Sequence, residues 1–191
     1  MYSILKAHLD KFVTVSDEEF TAISKFFEIQ NVDKKENLLK EGQLCKANYF
    51  VVKGLLRKFF IKKKGIEQTT HFAIENWWMT DDFAFDKESV TEFFIQAVEK
   101  TTVLRISKEK QNKLLEAHPV MEKYFRCIYQ RAYAASQMRM KFLYNFSREE
   151  LYHHFSQKQP QFLQRVPQYL IASYLGFTPE YLSEIRKKNI S

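Results

Sequence analysis

The chain has 191 residues, of which 45% are hydrophobic and 28% charged, a balance that excludes an intrinsically disordered protein. No apolar run approaches the about 20 residues that a membrane-spanning helix needs, and charges occur too early in "MYSILKAHLDKFVTVSDEEF" for a secretory signal. We therefore expect a cytoplasmic protein without a membrane partner. The net charge of +7 favours a polyanionic partner, although a basic composition alone is weak support for nucleic acid. Cys45 and Cys127 form no metal-ligand spacing and are expected to be free thiols in a reducing compartment.

Residues 1–28 are predicted to be helical. Ser16 precedes acidic residues and is a predicted N-cap, because its hydroxyl can accept an otherwise unpaired backbone N–H. Apolar residues then follow at helical spacing: Phe20, Ile23, Phe26 and Phe27.

Residues from about 36 to 106 favour short strands. The stretch "ANYFVVKGLLRKFFIKKKGIEQTTHFAI" is rich in β-branched and aromatic residues, with Gly54 and Gly65 as breaks, and "FFIQAVEKTTVLRIS" continues the pattern. Closely spaced short strands predict an antiparallel barrel or sandwich. Within them, "KGLLRKFFIKKKG" has six basic residues and no acidic one. It can contact DNA or lipid, but the favoured interpretation is a hairpin whose lysines keep strand edges soluble.

A long helix is predicted between Pro119 and Phe146, after a shorter helix that begins at Ser107. The stretch 119–146 contains no proline after its first residue and no glycine, so as a helix it would span roughly 40 Å. Such a helix either covers a core or pairs with a copy of itself, and its residues alone leave both alternatives open. Its candidate seam has three-four spacing: Met121, Tyr124, Ile128, Ala135, Met138 and Phe142.

The stretch "ASYLGFTPEYLSEIRKK", residues 172–188, predicts two short helices joined by a tight turn. Gly176 follows the last periodic residue of the first helix and accepts the positive φ of a helix stop. Thr178 can cap the second helix, and Pro179 suits its first position because it lacks a backbone N–H. This is the helix-turn-helix arrangement.

The pattern around this turn favours DNA binding over an ordinary pair of packed helices. Five apolar positions match the inside of a helix-turn-helix: Ile171, Leu175, Phe177, Leu182 and Ile185. The polar positions can face base edges, while the basic end can meet phosphates. The predicted DNA-binding residues are Gln168, Thr178, Glu180, Tyr181, Ser183, Glu184, Arg186, Lys187 and Lys188.

Three stretches resemble the Crp/Fnr transcription regulators: "ANYFVVKGLLRKFF", "SKEKQNKLLEAHPVMEKYF" and, most specifically, "RVPQYLIASYLGFTPEYLSEIRKK". The resemblance covers nearly the whole chain and implies an α+β fold. The domains it implies are a cyclic-nucleotide-binding-like β-roll sensor with flanking helices at 1–118, a dimerisation helix at 119–146 and a DNA-binding helix-turn-helix domain at 147–191. It also implies a homodimer that binds double-stranded DNA, with RNA polymerase as a candidate further partner.

The same resemblance argues against cyclic AMP. Binders in this family carry a Gly-Glu pair for the ribose and an Arg-Ser pair for the phosphate, whereas this chain has Thr80-Asp81 and an arginine-free stretch at 91–94. A buried phosphate without an arginine partner would be costly. We therefore expect another small-molecule effector, or none. The candidate effector pocket contains Trp77, Trp78, Thr80, Asp81 and Asp82.

Cofactor and enzyme alternatives find little support in the sequence. Two distant cysteines cannot supply the about four thiolates of an iron–sulfur cluster, and no metal-ligand set or c-type haem motif is present. Nucleophile-elbow, phosphate-loop and zinc-protease motifs are also missing from the sequence. A sequence-specific DNA-binding regulator is therefore the first hypothesis and an enzyme the last. The alternative is a small-ligand-sensing module that regulates a protein partner without binding DNA.

Overall fold

The structure, a computed structural model, describes residues 1–188. Eight strands lie in this part of the chain: β1 (Glu28–Val32), β2 (Asn37–Leu39), β3 (Ala47–Lys53), β4 (Leu56–Ile61), β5 (Glu67–Ala73), β6 (Trp78–Met79), β7 (Phe94–Ala97) and β8 (Thr101–Ser107). The helices described there are α1 (Tyr2–Leu9), α2 (Asp17–Ser24), α3 (Asp82–Lys87), α4 (Lys108–Ala117), α5 (Val120–Asn145), α6 (Arg148–Lys158), α7 (Pro160–Arg165), α8 (Gln168–Leu175) and α9 (Pro179–Lys188). None of these helices is both long and apolar enough to cross a membrane.

The strands form two four-stranded sheets, in the orders β1-β8-β3-β6 and β2-β7-β4-β5. The recorded strand pairs are antiparallel. The predicted α+β class, an antiparallel β-sheet core followed by helices, is confirmed. The N-terminal prediction needs detail, because residues 1–28 contain two helices and the start of β1 rather than one helical region. Ser16 caps α2 as predicted, since its hydroxyl accepts from the backbone N–H of Glu19 at 3.1 Å.

The chain separates into two compact units. Unit 1 contains residues 1–60 and 71–130, and unit 2 contains residues 61–70 together with the chain from residue 131. The boundary between the two units falls inside α5, so the compact units do not coincide with the predicted domains 1–118, 119–146 and 147–191. Those segments describe functional domains and stay predictions.

Unit 1 has two hydrophobic clusters, one on each face of β3. Tyr49 and Val51 belong to the cluster between the sheets, whereas Phe50 and Val52 belong to the cluster under the helices. Alternate side chains of a strand point to opposite faces. Both faces of β3 are covered, so consecutive residues along this strand are buried. Tyr124 of α5 is fully buried in the helix-covered cluster, where its hydroxyl accepts from Trp78 Nε1 at 2.8 Å.

Unit 2 has its own small core, built from the helices that follow α5. Its buried apolar side chains are Tyr152, Phe155, Phe162, Val166, Leu170, Ile171, Ala172, Leu175, Leu182 and Ile185. Ser147 and Glu150 form a reciprocal capping box at the start of α6, which fixes where that helix begins. The last two apolar residues come from α9, so this core positions the C-terminal helix of the described chain.

We predict that Gly54→Ala destabilises the protein far more than Gly42→Ala. Both glycines have positive φ, +106° and +83° respectively. A Cβ at Gly54 would lie 2.7 Å from the Cα of Thr101, whereas nothing lies within 4 Å of a Cβ at Gly42. Strain plus overlap should cost about 3–5 kcal/mol at Gly54, against about 1–2 kcal/mol of backbone strain at Gly42. Urea unfolding of both variants measures the difference, and equal losses would contradict the close approach.

Candidate functional site

The turn between α8 and α9 has the predicted local geometry. Gly176 adopts φ +80°, and the backbone N–H of Phe177 donates to the carbonyl of Ala172 at 2.8 Å. The hydroxyl of Thr178 accepts from the backbone N–H of Tyr181 at 3.2 Å. The glycine therefore ends α8 in the left-handed region, and the threonine caps α9. We call residues 168–188 the turn unit.

One face of α9 is buried and the opposite face is exposed. Leu182 and Ile185 pack into the core of unit 2, next to Ile171 and Leu175 of α8, while Phe177 is half-buried. Four exposed polar residues occupy positions i, i+3, i+4 and i+7, which form one side of a helix. We call this stripe the reading face: Glu180, Ser183, Glu184 and Lys187.

The remaining predicted DNA-binding residues surround the reading face. Gln168, Thr178 and Lys188 are exposed, whereas Tyr181 and Arg186 are half-buried. Lys188 Nζ lies 3.4 Å from a carboxylate oxygen of Glu149 in α6. The guanidinium of Arg148 lies 5.4 Å from the ring centroid of Tyr181, so this ring is partly covered by α6. All nine predicted residues thus belong to unit 2, and each is exposed or half-buried.

The net positive charge of the protein resides in unit 2. Its two segments contain 12 Lys and Arg residues and 5 Asp and Glu residues, a formal net charge of +7. Unit 1 contains 18 residues of each sign and is formally neutral. A field concentrated on one compact unit attracts a polyanion to that unit.

A hairpin segment of unit 2, residues 61–70, is fastened to α8 through Ser173. The hydroxyl of Ser173 donates to the carbonyl of Glu67 at 2.8 Å and accepts from the backbone N–H of Thr69 at 2.9 Å. The side chain of Gln68 donates to the carbonyl of Ser173. The side chain of Ser173 therefore satisfies backbone groups at the start of β5, within unit 2.

Arg139 of α5 strengthens the same attachment. Its two terminal nitrogens donate to the carbonyls of Thr70 at 2.9 Å and Tyr174 at 2.7 Å. The guanidinium also stacks on the ring of Tyr174, 3.6 Å from the centroid. Burial lowers the pKa of Arg139, which nevertheless stays charged at neutral pH. The sequence contained no local signal for this contact, because its partners lie about 35 and 70 residues away.

The loop between β6 and β7 holds three residues of the candidate effector pocket. Asp81 is buried and caps α3; its carboxylate accepts from the hydroxyl of Thr91 at 2.6 Å. Thr80 is also buried, and its hydroxyl donates to the carbonyl of Ala47 at 2.8 Å. Asp82 is exposed. Asp81 of the candidate effector pocket is therefore hydrogen-bonded to Thr91 of the arginine-free stretch 91–94.

Lys58 of β4 is a residue of this loop region that sequence reasoning missed. Its Nζ donates to the carbonyl of Thr80 at 2.9 Å and lies 3.7 Å from a carboxylate oxygen of Asp82. Lys58 is distant in sequence from this loop and comes from the neighbouring sheet. Its signal was the pair of basic residues, Arg57 and Lys58, inside a strand whose other residues are apolar.

The two tryptophans do not join these residues. Trp78 packs against Phe50, Tyr124 and Phe125 in the helix-covered cluster, with ring centroids 5.1–6.4 Å apart. Trp77 is 43% exposed. A separate open cavity of about 460 Å³ in unit 1 is lined by Gln30, Leu38, Leu39, Gln43, Leu44, Lys46, Ala47, Tyr49 and Arg105. None of the predicted effector residues lines it.

The candidate seam of α5 divides between two environments. Met121 and Tyr124 are fully buried in unit 1, and Ile128 packs against the same cluster. These three side chains therefore pack against residues of their own chain. Ala135 and Met138 are exposed. Phe142 is half-buried; its ring stacks on Phe146 and contacts the ring of His154 at a tilt.

No metal site is evident in the part of the chain that the structure describes. Within residues 1–188, no group of three or more His, Cys, Asp or Glu side chains is placed to hold an ion. Cys45 is buried and Cys127 half-buried, and both are free thiols.

Comparisons with known proteins bear on residues 29–118 and on the fold. Residues 29–118 match the model of the cyclic nucleotide-binding domain. Among curated proteins, none matches the chain.

Solved structures with the same fold include FixK2 from Bradyrhizobium japonicum, with a TM-score of 0.70 and 15% identity over 85% of this chain and 83% of that one. The c-di-GMP responsive global regulator CLP from Xanthomonas campestris has a TM-score of 0.67 and 15% identity, and the match covers 88% of both chains. The Thermus thermophilus Catabolite Activator Protein has a TM-score of 0.58 and 18% identity, and the match covers 91% of this chain and 83% of that one. Residues 29–118 are therefore similar to the cyclic nucleotide-binding domain, and the chain shares the fold of these solved structures.

Proposed function

We propose that this protein is a cytoplasmic, homodimeric, sequence-specific DNA-binding regulator of transcription, and that the turn unit is its helix-turn-helix. The observation that carries the proposal is the reading face of α9, whose polar residues are exposed while Leu182 and Ile185 anchor the opposite face in the core. An α-helix has the width of the major groove of B-DNA, and polar side chains on its exposed side can hydrogen-bond base edges there.

The charge distribution supports the same function. Unit 2 carries the whole net charge of +7. Cations near a reading helix neutralise phosphates and supply most of the sequence-independent affinity. The reading face itself includes two carboxylates, Glu180 and Glu184, and these are better suited to accept from cytosine amino groups than to meet phosphate.

The comparisons support a sensor-regulated transcription factor. Residues 29–118 match a ligand-sensing domain, and the proteins with the same fold include an activator and a global regulator. A regulator of this kind acts on RNA polymerase, which is the further partner that the proposal implies.

The effector that we propose is not cyclic AMP. The carboxylate of Asp81 accepts from Thr91, and Asp82 adds a second negative charge beside the position of a cyclic phosphate. Lys58 is the nearby cation, but it is engaged by Thr80 and Asp82. An uncharged or cationic ligand, or activity without a ligand, fits this chemistry better.

We propose that α5 pairs with α5 of a second copy. All residues from 131 to 138 are exposed in the single chain, although they include Tyr133, Ala134, Ala135 and Met138. A helix segment exposed on every side gains little from tertiary packing, and a second copy would cover its apolar side. Two reading faces related by a two-fold axis would contact half-sites about 34 Å apart.

The proposed division of roles is tested by Glu180→Ala and Lys187→Ala. Glu180→Ala should change base preference at one position per half-site, by about 1–3 kcal/mol for the affected pair. Lys187→Ala should weaken binding to every sequence alike and lower the magnitude of the salt slope by about one for each subunit of the dimer. Binding titrations at several salt concentrations against single-base operator variants measure both effects.

Glu122→Ala is the matched control for Glu180→Ala, because Glu122 is also an acidic residue in the first turn of a helix but lies outside the turn unit. It should leave the preference profile unchanged. An unchanged profile for Glu180→Ala as well would make Glu180 a helix-end residue that reads no base.

Cyclic AMP should show no saturable binding to the purified protein. Its phosphate would have to displace the hydrogen bond between Asp81 and Thr91 and would then face two carboxylates. Isothermal calorimetry with millimolar nucleotide measures this directly. A dissociation constant in the micromolar range would contradict the proposed chemistry of the loop.

The dimer should be lost in Met138→Asp and retained in Met140→Asp. Both methionines are exposed, by 46% and 57%, but only Met138 belongs to the predicted seam. Ile128→Asp is a weaker probe, because Ile128 packs against the core of unit 1 and its loss affects folding. Sedimentation should give about twice 22.9 kDa for the wild type. A monomeric wild type, or equal behaviour of the two variants, would refute pairing through this side.

A further inference from the structure

The tip of the β4–β5 hairpin presents three consecutive lysines to solvent. Lys62, Lys63 and Lys64 are exposed, and within residues 1–188 their ammonium groups form no ion pair. The turn is closed by backbone hydrogen bonds from Lys62 N–H to Ile66 C=O and from Gly65 N–H to Lys62 C=O, at 2.9 and 2.8 Å. The lysines therefore project from an ordered turn.

The tip belongs to the same compact unit as the turn unit. Residues 61–70 are part of unit 2, and Ser173 holds their strand through Glu67 and Thr69. Ser173 lies three residues before Gly176, so the attachment is about one helical turn from the start of the turn to α9. Arg139 fixes the strand further along, at Thr70.

The tip lies close in sequence to the residues that contact α8. Lys64 precedes Glu67, whose carbonyl accepts from Ser173, by three residues of a closed turn. The major groove is about 12 Å wide, so a helix in the groove has phosphates on both of its sides. A lysine side chain adds several more ångströms of flexible length.

The turn unit contains carboxylates as well as cations, so a further cationic surface would add to its attraction for phosphate. Glu180 and Glu184 lie on the reading face and repel phosphate, and Lys188 is close to Glu149. The three tip lysines are a quarter of the 12 basic residues of unit 2. Within residues 1–188 they form no ion pair with a carboxylate of that unit.

We propose that Lys62, Lys63 and Lys64 form a second DNA-contacting surface, which binds the phosphates that flank the bases read by α9. This inference rests on the proposed function of the turn unit. The hairpin supplies sequence-independent affinity, while the reading face supplies preference. Solubility alone does not account for the fastening of this hairpin to α8.

The test replaces all three lysines by glutamine, K62Q/K63Q/K64Q, which keeps the side chains polar and the turn glycine in place. Affinity should fall alike for all operator variants, by up to the order of 100-fold at 0.1 M salt, and the magnitude of the salt slope should fall by up to about three for each subunit of the dimer. The matched control is K34Q/K35Q/K40Q, which removes the same charge from exposed residues of unit 1. Circular dichroism and thermal unfolding verify that both variants fold.

Two further measurements locate the contact. Shortening the duplex so that it ends at the outer edges of the two half-sites should remove most of the difference between wild type and the tip variant, because the flanking phosphates are then missing. Ser173→Ala should lower affinity less in the tip variant than in the wild type, since a hairpin without lysines gains nothing from being fastened.

The inference fails if the tip variant matches the control variant in affinity and salt slope. In that case the changes caused by Lys187→Ala and Glu180→Ala still decide the proposed function separately. Ile61 and Ile66 flank the tip and are exposed, and exposed apolar residues beside lysines could also contact a membrane surface. The second arm of the experiment therefore measures binding of the same variants to vesicles that contain phosphatidylserine. Loss of vesicle binding with an unchanged DNA salt slope would assign the lysines to an anionic lipid surface and overturn the proposal.

Discussion

The left-handed backbone at Gly176 is the constraint on which the candidate site depends. It ends α8, lets Phe177 N–H return to the carbonyl of Ala172, and starts α9 two residues after Phe177. This short connection brings Leu182 and Ile185 onto the core that contains Ile171. Once those two apolar residues are buried, helical geometry requires the residues on the opposite side of α9 to be exposed. The reading face follows from the turn.

In the proposed complex with DNA, affinity and sequence preference come from different side chains. The excess of cations lies in unit 2, whereas the reading face of α9 contains two carboxylates and a serine. Phosphate contacts by lysine and arginine carry no information about sequence, and carboxylates near bases contribute selection rather than attraction. A hairpin fastened to α8 extends the cationic surface without placing more positive charge on the reading face.

The local features of the fold and of the turn unit were predictable from sequence. Gly176, Thr178 and Ser16 act through backbone conformation and capping, which depend on neighbouring residues only. The strand region was predictable because β-branched and aromatic residues cluster there, and the fold class was confirmed.

Long-range contacts were not predictable from the sequence. Helical spacing grouped Met121 and Tyr124 with Met138, yet the first two residues face the core of their own chain. Periodicity identifies an apolar side of a helix without saying what covers it. Lys58 reaches Thr80, and Arg139 reaches Thr70, only through tertiary packing. The pairing of Asp81 with Thr91 likewise depends on how the loop between β6 and β7 closes.

Hydroxyl-radical footprinting on an operator selected from random duplexes tests the central claim most directly, because it shows which sugars the bound protein covers. A symmetric dimer that uses two α9 helices should protect two segments whose centres lie about one helical turn apart, at about 34 Å. Substitution of the reading face should abolish the selection of that operator. Failure to select any sequence, or protection without two-fold symmetry, would contradict the account.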